Sequence, residues 1–206
     1  AGETDLAEVA YGKCLAIDPQ HPEALLDLGL LLVEKGDGRK AIEILGRALQ
    51  VSPESVQVWN AMAAARHRTG DFTGATAALE QAARLKPGVP QIHKNLAEVA
   101  LDDGRPDRAL AEALRVRDLL RASAADPASL EVADTLITRA VIVQVLAQAA
   151  CKGSRDGDAA EREIGVQLGA QGLAATPERI AELGASSVAF VKAAVARCKA
   201  APGQGP

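Results

Sequence analysis

Aromatic side chains are nearly absent, with two Phe, one Tyr and one Trp in 206 residues. A core stacked from large rings is excluded, and burial must be built from aliphatic and small residues. Cysteine is scarce at three, which excludes a disulfide-dense scaffold. No CxxC, HExxH or CxxCH occurs, so neither a metal nor a cofactor is expected. Basic charge is not in excess: 23 Lys and Arg against 27 Asp and Glu leave a net charge of −4. Nucleic-acid binders present a basic surface, and that class is set aside. No apolar stretch runs uninterrupted for the ~18 residues of a membrane-spanning helix, so no span is expected. Strand-formers are sparse while alanine supplies about a fifth of the chain, a balance that points to an all-α protein. The charged fraction of 24% is ordinary for a folded chain of this length.

What is present is a period. Pro19, Pro53 and Pro87 are thirty-four residues apart, as are Gly2, Gly36, Gly70 and Gly104, and Ala7, Ala41, Ala75 and Ala109. Three position types sharing one interval define an internal repeat. The physical reading is two helices per unit. Gly36 and Gly70 break the chain mid-unit, where glycine can take the left-handed conformation that ends a helix. The prolines follow the second helix, which they cannot continue. Leu25, Leu28 and Leu32, then Ile42, Leu45 and Leu49, give each helix of the first full unit an apolar stripe. Gly29, Ala41 and Ala48 are small enough to let the pair approach closely.

These residues resemble the tetratricopeptide repeat, a 34-residue helix–turn–helix unit. The family pattern is met by Leu25, Leu28, Gly29, Leu32, Ala41, Leu45, Ala48 and Pro53, then by Trp59, Met62, Ala63, Ala75, Leu79, Ala82 and Pro87. Leu96, Ala97, Ala109 and Ala113 continue it without a closing proline, and Arg66 stands where tyrosine is usual. The resemblance implies a right-handed superhelical α-solenoid over residues 1–125, as a half repeat (1–19) and repeats at 20–53, 54–87 and 88–121. Reading the period backwards leaves Leu6 to Ile17 as a second helix lacking its first. A longer or processed chain, or a helix from an oligomeric partner, would complete that half repeat.

The resemblance also implies a concave groove, lined by the first helices, that holds a partner's peptide or helix. In this register Leu26, Leu30 and Val33 face it from the first full unit, and Gln57, Asn60, Ala64, His67 and Arg68 from the second. Gln91, Lys94, Glu98 and Leu101 face it from the third. Leu26 and Leu30 occupy positions where chaperone-tail receptors of the family carry a lysine and an asparagine, which disfavours that specificity. The apolar stripe of Leu26, Leu30 and Val33 suits an apolar partner segment, or burial beneath an upstream repeat or the chain's own tail. His21 falls in an inter-repeat turn, and His93 in the slot of Trp59, as a packing residue.

Beyond Gly104 helices are expected from Pro106 to about Ala125, Leu130 to Cys151, Asp158 to about Leu173 and Pro177 to about Lys199, with a polar loop at 152–157. Residues 126–200 read as a C-terminal helical bundle capping the repeats, and 201–206 as a flexible tail. Cys14 occupies a small-residue slot. Cys151 and Cys198 fall at one end of an up-down-up arrangement, as two free thiols or as a disulfide. A bridge would imply an oxidising compartment such as a periplasm; without it the chain fits the cytoplasm. No nucleophile signature surrounds any cysteine or serine. The expected function is a non-enzymatic protein-interaction scaffold. An accessory subunit of a larger, bacterial envelope complex docked through the bundle is the alternative, ahead of an enzyme with its site in 126–206.

Overall fold

The computed structural model describes residues 2–154, 157–174 and 176–200. Among them are eleven α-helices and no strand. The tail expected at 201–206, and residues 155–156 of the polar loop, lie outside the described residues. The chain divides into two compact units, 1–92 and 93–206.

The first unit contains α1 (Gly2–Ile17), α2 (Pro22–Lys35), α3 (Gly38–Val51), α4 (Val56–Arg68), α5 (Phe72–Leu85) and the first turn of α6 (Pro90–Asp102). Its helix ends follow from local chemistry. His21 Nδ1 accepts the Ala24 N–H ahead of α2, with Pro22 pre-set in the first turn. Gly36 ends that helix at φ 88°, donating its N–H to the Leu32 and Val33 carbonyls. Ser55 Oγ accepts from Val58 N before α4, and Asp71 Oδ1 from Gly74 N before α5.

Packing then makes hairpins of α2–α3 and α4–α5, and α4 rests on both helices of the preceding pair. In the first hairpin the helices approach closely at Gly29, where a Cβ would fall 2.6 Å from Leu45 Cγ. Leu25, Leu32, Ala41, Leu45 and Ala48 close around that seam, all buried. In the second hairpin Val58, Met62, Ala63, Ala75, Leu79 and Ala82 repeat the arrangement. Arg66, in the slot usual for tyrosine, extends to Asp71 at 3.4 Å. Trp59 donates its indole N–H to the Pro53 carbonyl at 2.8 Å. On α1, Leu6 and Ile17 are 72% and 88% exposed.

The second unit holds the rest of α6, then α7 (Pro106–Ala122), α8 (Pro127–Cys151), α9 (Gly157–Ala170), α10 (Pro177–Ser186) and α11 (Val188–Ala200). The division falls inside α6 rather than near 125, because the third repeat shares a core with the helices after it. Ala97, Leu101, Ala109 and Ala113 cluster with Leu136, Ile137, Ala140 and Val143 of α8 and Ala194 of α11. The other side of α8 presents Val141, Ile142 and Val145 to Ile164, Leu168 and Leu183. An all-round apolar helix is thus central, with apolar cover on both sides. Polar ties accompany it: His93 Nδ1 lies 2.8 Å from Glu112 Oε2, and Arg117 donates to the Gln171 carbonyl at 2.9 Å.

The single helix expected over 177–199 is instead two. Ser187 is fully buried, and its hydroxyl donates to the Leu183 carbonyl at 2.6 Å. Its backbone N–H bonds the Gly184 carbonyl, a tightened last turn that stops α10 and redirects the chain into α11.

The Gly29–Leu45 contact yields a stability prediction. Leu45→Ala should cost about 2–5 kcal/mol by opening a cavity. Gly29→Ala should cost about 1–3 kcal/mol through overpacking, in spite of alanine's better helix propensity. Urea titration followed by far-ultraviolet circular dichroism reads both, and an unchanged or raised midpoint for Gly29→Ala contradicts the interlock.

Candidate partner-docking faces

In the first unit α2 and α4 lie against one another. Their buried residues form the seams just described, which leaves the remaining register positions toward solvent. Leu30 is 45% exposed, with Leu26 and Val33 half-buried on either side of it. On α4, Gln57, Ala64 and Arg68 are exposed while Asn60 and His67 are half-buried. The His67 ring tilts onto Phe72 with centroids 5.6 Å apart, so it packs at the face's edge. Gln91 is exposed at the start of α6. The face is therefore apolar on α2 and mixed polar on α4.

Charge borders this face. Lys35, in the last turn of α2, donates to Asp5 at 2.7 Å and Glu8 at 2.6 Å, tying α1 to α2. Those hydrogen bonds hold its ammonium pKa above the ordinary lysine range. The apolar end of the face is thereby left without a free lysine charge, while Arg66, His67 and Arg68 crowd the last turn of α4.

In the second unit, Lys94 and Glu98 sit 3.8 Å apart on α6. With Glu131, Val132, Thr135 and Arg139 of α8 they line an open hollow of about 440 Å³. Sequence reasoning placed Lys94 and Glu98 on a docking face and missed the α8 side. The signal was there: Glu131 and Thr135 follow Pro127 at the same intervals as Lys94 and Glu98 follow Pro90. The first half of α8 is thus built like a further first helix. Asp126 caps it, accepting from Ser129 N at 2.9 Å and from the Ser129 hydroxyl at 2.7 Å. That hydroxyl, more than the backbone N–H, pulls the Asp126 carboxyl below its usual value.

Leu101 departs from its expected place. It is 1% exposed and belongs to the core that α11 helps close, together with Phe190, Val191 and Ala194. A residue covered in this way cannot take part in docking on that face. Among the described residues no group of three or more His, Cys, Asp or Glu could hold a metal ion, and no helix is long and apolar enough to cross a membrane.

Cys14 is half-buried and free. Cys151, at the end of α8, is bonded to Cys198 of α11, with Cα atoms 6.6 Å apart. Closing a loop of this length should stabilise the fold by about 4 kcal/mol in the chain-entropy description. Thiol titration of the unfolded, unreduced protein should find one reactive cysteine per chain, and three after reduction. Three before reduction contradicts the bridge. The Cys151→Ser, Cys198→Ser double variant should lower the urea midpoint as reduction does.

Comparison with known proteins agrees with this geometry. The tetratricopeptide repeat pattern matches residues 1–65 and 67–133. Cellulose synthase 2 operon protein C of Komagataeibacter xylinus is 36% identical over 115 residues, 55% of this chain and 9% of that protein. Protein FlbA of Caulobacter vibrioides is 29% identical over 108 residues, 52% of this chain and 18% of that one. The chain therefore spans less than a fifth of the length of either relative. A crystal structure of MamA protein superposes with a TM-score of 0.59 at 23% identity, covering 85% of this chain and 90% of that one. With the family pattern over more than half its length and the fold of a solved repeat protein, the chain belongs to the tetratricopeptide repeat family, whose members generally serve as protein–protein interaction scaffolds.

Proposed function

We propose that this protein captures a segment of a partner protein on the α2–α4 face and carries out no bond chemistry of its own. The observation that carries the reading is the stripe of Leu26, Leu30 and Val33, with Leu30 45% exposed in a unit whose other leucines on α2 are mostly buried. An apolar stripe beside polar Gln57 and Asn60 suits a peptide or helix with one or two aliphatic anchors and a polar flank. Shape and side-chain complementarity supply the affinity, and the absence of a charged clamp on α2 disfavours a free carboxylate as the anchor. The Cys151–Cys198 bridge fits an oxidising compartment such as a periplasm.

A second reading, a fixed subunit of a larger assembly docked through residues 126–200, draws support from Val166 and Val188, which are 67% and 50% exposed there. The two readings separate by behaviour. A fixed subunit co-purifies at constant stoichiometry, whereas a captured segment exchanges.

Leu30→Asp distinguishes the α2 face from the rest of the surface. Burying a leucine contributes about 1.5–3 kcal/mol, so the variant should lose partner retention tenfold or more with its helical signal unchanged. Ile17→Asp, at a position 88% exposed on α1, should retain the partner normally. Equal retention by both variants in a pull-down with the co-purifying protein contradicts the reading.

A further inference from the structure

The helix that ends the second unit is attached differently from the others. It starts after the break at Ser187, it is thirteen residues long, and no later helix among the described residues rests on it. It lies along α8, with Phe190, Val191 and Ala194 in the core that contains Leu101, Ile137 and Ala140. The Arg139 guanidinium stands 5.9 Å from the centre of the Phe190 ring. Near its far end Arg197 donates Nε–H to the Asp103 carbonyl at 2.8 Å and pairs with the Asp103 carboxylate, whose side chain is only 11% exposed. The backbone at Ala193 comes so close to Gly104 that a Cβ there would fall 2.5 Å from the Ala193 carbonyl carbon. One residue beyond Arg197, Cys198 is exposed and bonded to half-buried Cys151.

These features describe a helix seated in a built receptor. An aromatic, an apolar residue at +1, a small residue at +4 and an arginine at +7 each meet a matching element. The seat is made by α8 and the turn after α6, and α8 is also packed by α7 and α9. The covalent tie is at the exposed end, where a reductant reaches it.

We propose that α11 is a redox-latched occupant of a helix-docking surface, and that opening Cys151–Cys198 lets an amphipathic partner helix with the same pattern take its place. The step is thiol–disulfide exchange with a dithiol. A thiolate of the dithiol attacks one sulfur, breaking the Cys151–Cys198 bond and forming a mixed disulfide. The second thiolate then closes the dithiol's own disulfide and expels the protein sulfur. Two electrons and two protons pass to Cys151 and Cys198, which become thiols. While the bridge is closed α11 is tethered at both ends and cannot leave. With it open, α11 is held at one end only and competes with a helix in solution.

The probe is a fluorescein-labelled peptide with the sequence of Val188–Ala200 carrying Cys198→Ser, titrated by anisotropy against the full chain. Three forms are compared: oxidised, reduced with dithiothreitol, and the Cys151→Ser variant without reductant. The expected result is at least tenfold tighter binding to the reduced protein and to the variant than to the oxidised protein. An Arg197→Ala change in the peptide should weaken it at least fivefold. Equal binding to all three forms, or binding to none, overturns the proposal. So does binding that is indifferent to Arg197→Ala. Far-ultraviolet circular dichroism accompanies each titration. A loss of helical signal on reduction beyond that of one thirteen-residue helix also overturns it, because the latch must open without unfolding the seat.

Discussion

Gly29 faces Leu45 across the first full hairpin with no room for a side-chain carbon, and much of the first unit depends on that contact. It brings α2 and α3 close enough for the leucines on either side to bury fully, and it fixes which face of α2 turns inward. A chain with four aromatic residues needs small-against-large packing of this kind to reach the density of a protein interior. The second hairpin uses the equivalent pair, Ala63 and Leu79, both buried. In the third repeat both positions are alanine, Ala97 and Ala113. The missing volume is supplied by Leu136, Ile137 and Val143 of α8, so the core of the second unit closes around a long apolar helix.

Once the inward face is fixed, the outward face is fixed with it. Leu26, Leu30 and Val33 are among the residues left outside the buried seams of α2, as Glu131, Val132 and Thr135 are on the first half of α8. The repeat itself is a reusable frame, so the fold alone does not choose a partner.

Much of this was legible in the sequence because glycine, proline and small residues recur at one interval, each with a steric reason to do so. Gly36 and Pro22 mark helix ends through backbone conformation, which neighbouring residues alone determine. Three features were hidden for physical reasons. The break at Ser187 lies within an apolar, helix-compatible stretch and is set by a buried hydroxyl bonding back to Leu183. Leu101 sits at a groove position by register, yet its burial depends on a helix about ninety residues later in the chain. The α8 side of the hollow was masked because Pro127 follows Pro90 by thirty-seven residues instead of thirty-four. The extra length is taken up in a turn where Ala124 adopts φ 50°, and counting by the period loses register there.

The central claim is that the first helices of the repeats, and not the second, meet the partner. Hydrogen–deuterium exchange of the chain alone and with the protein that co-purifies with it tests this directly. The account predicts added protection over residues 26–33 and 57–68, with residues 39–50 and 73–84 unchanged. Protection confined to 39–50 and 73–84, with none over α2 and α4, would contradict it.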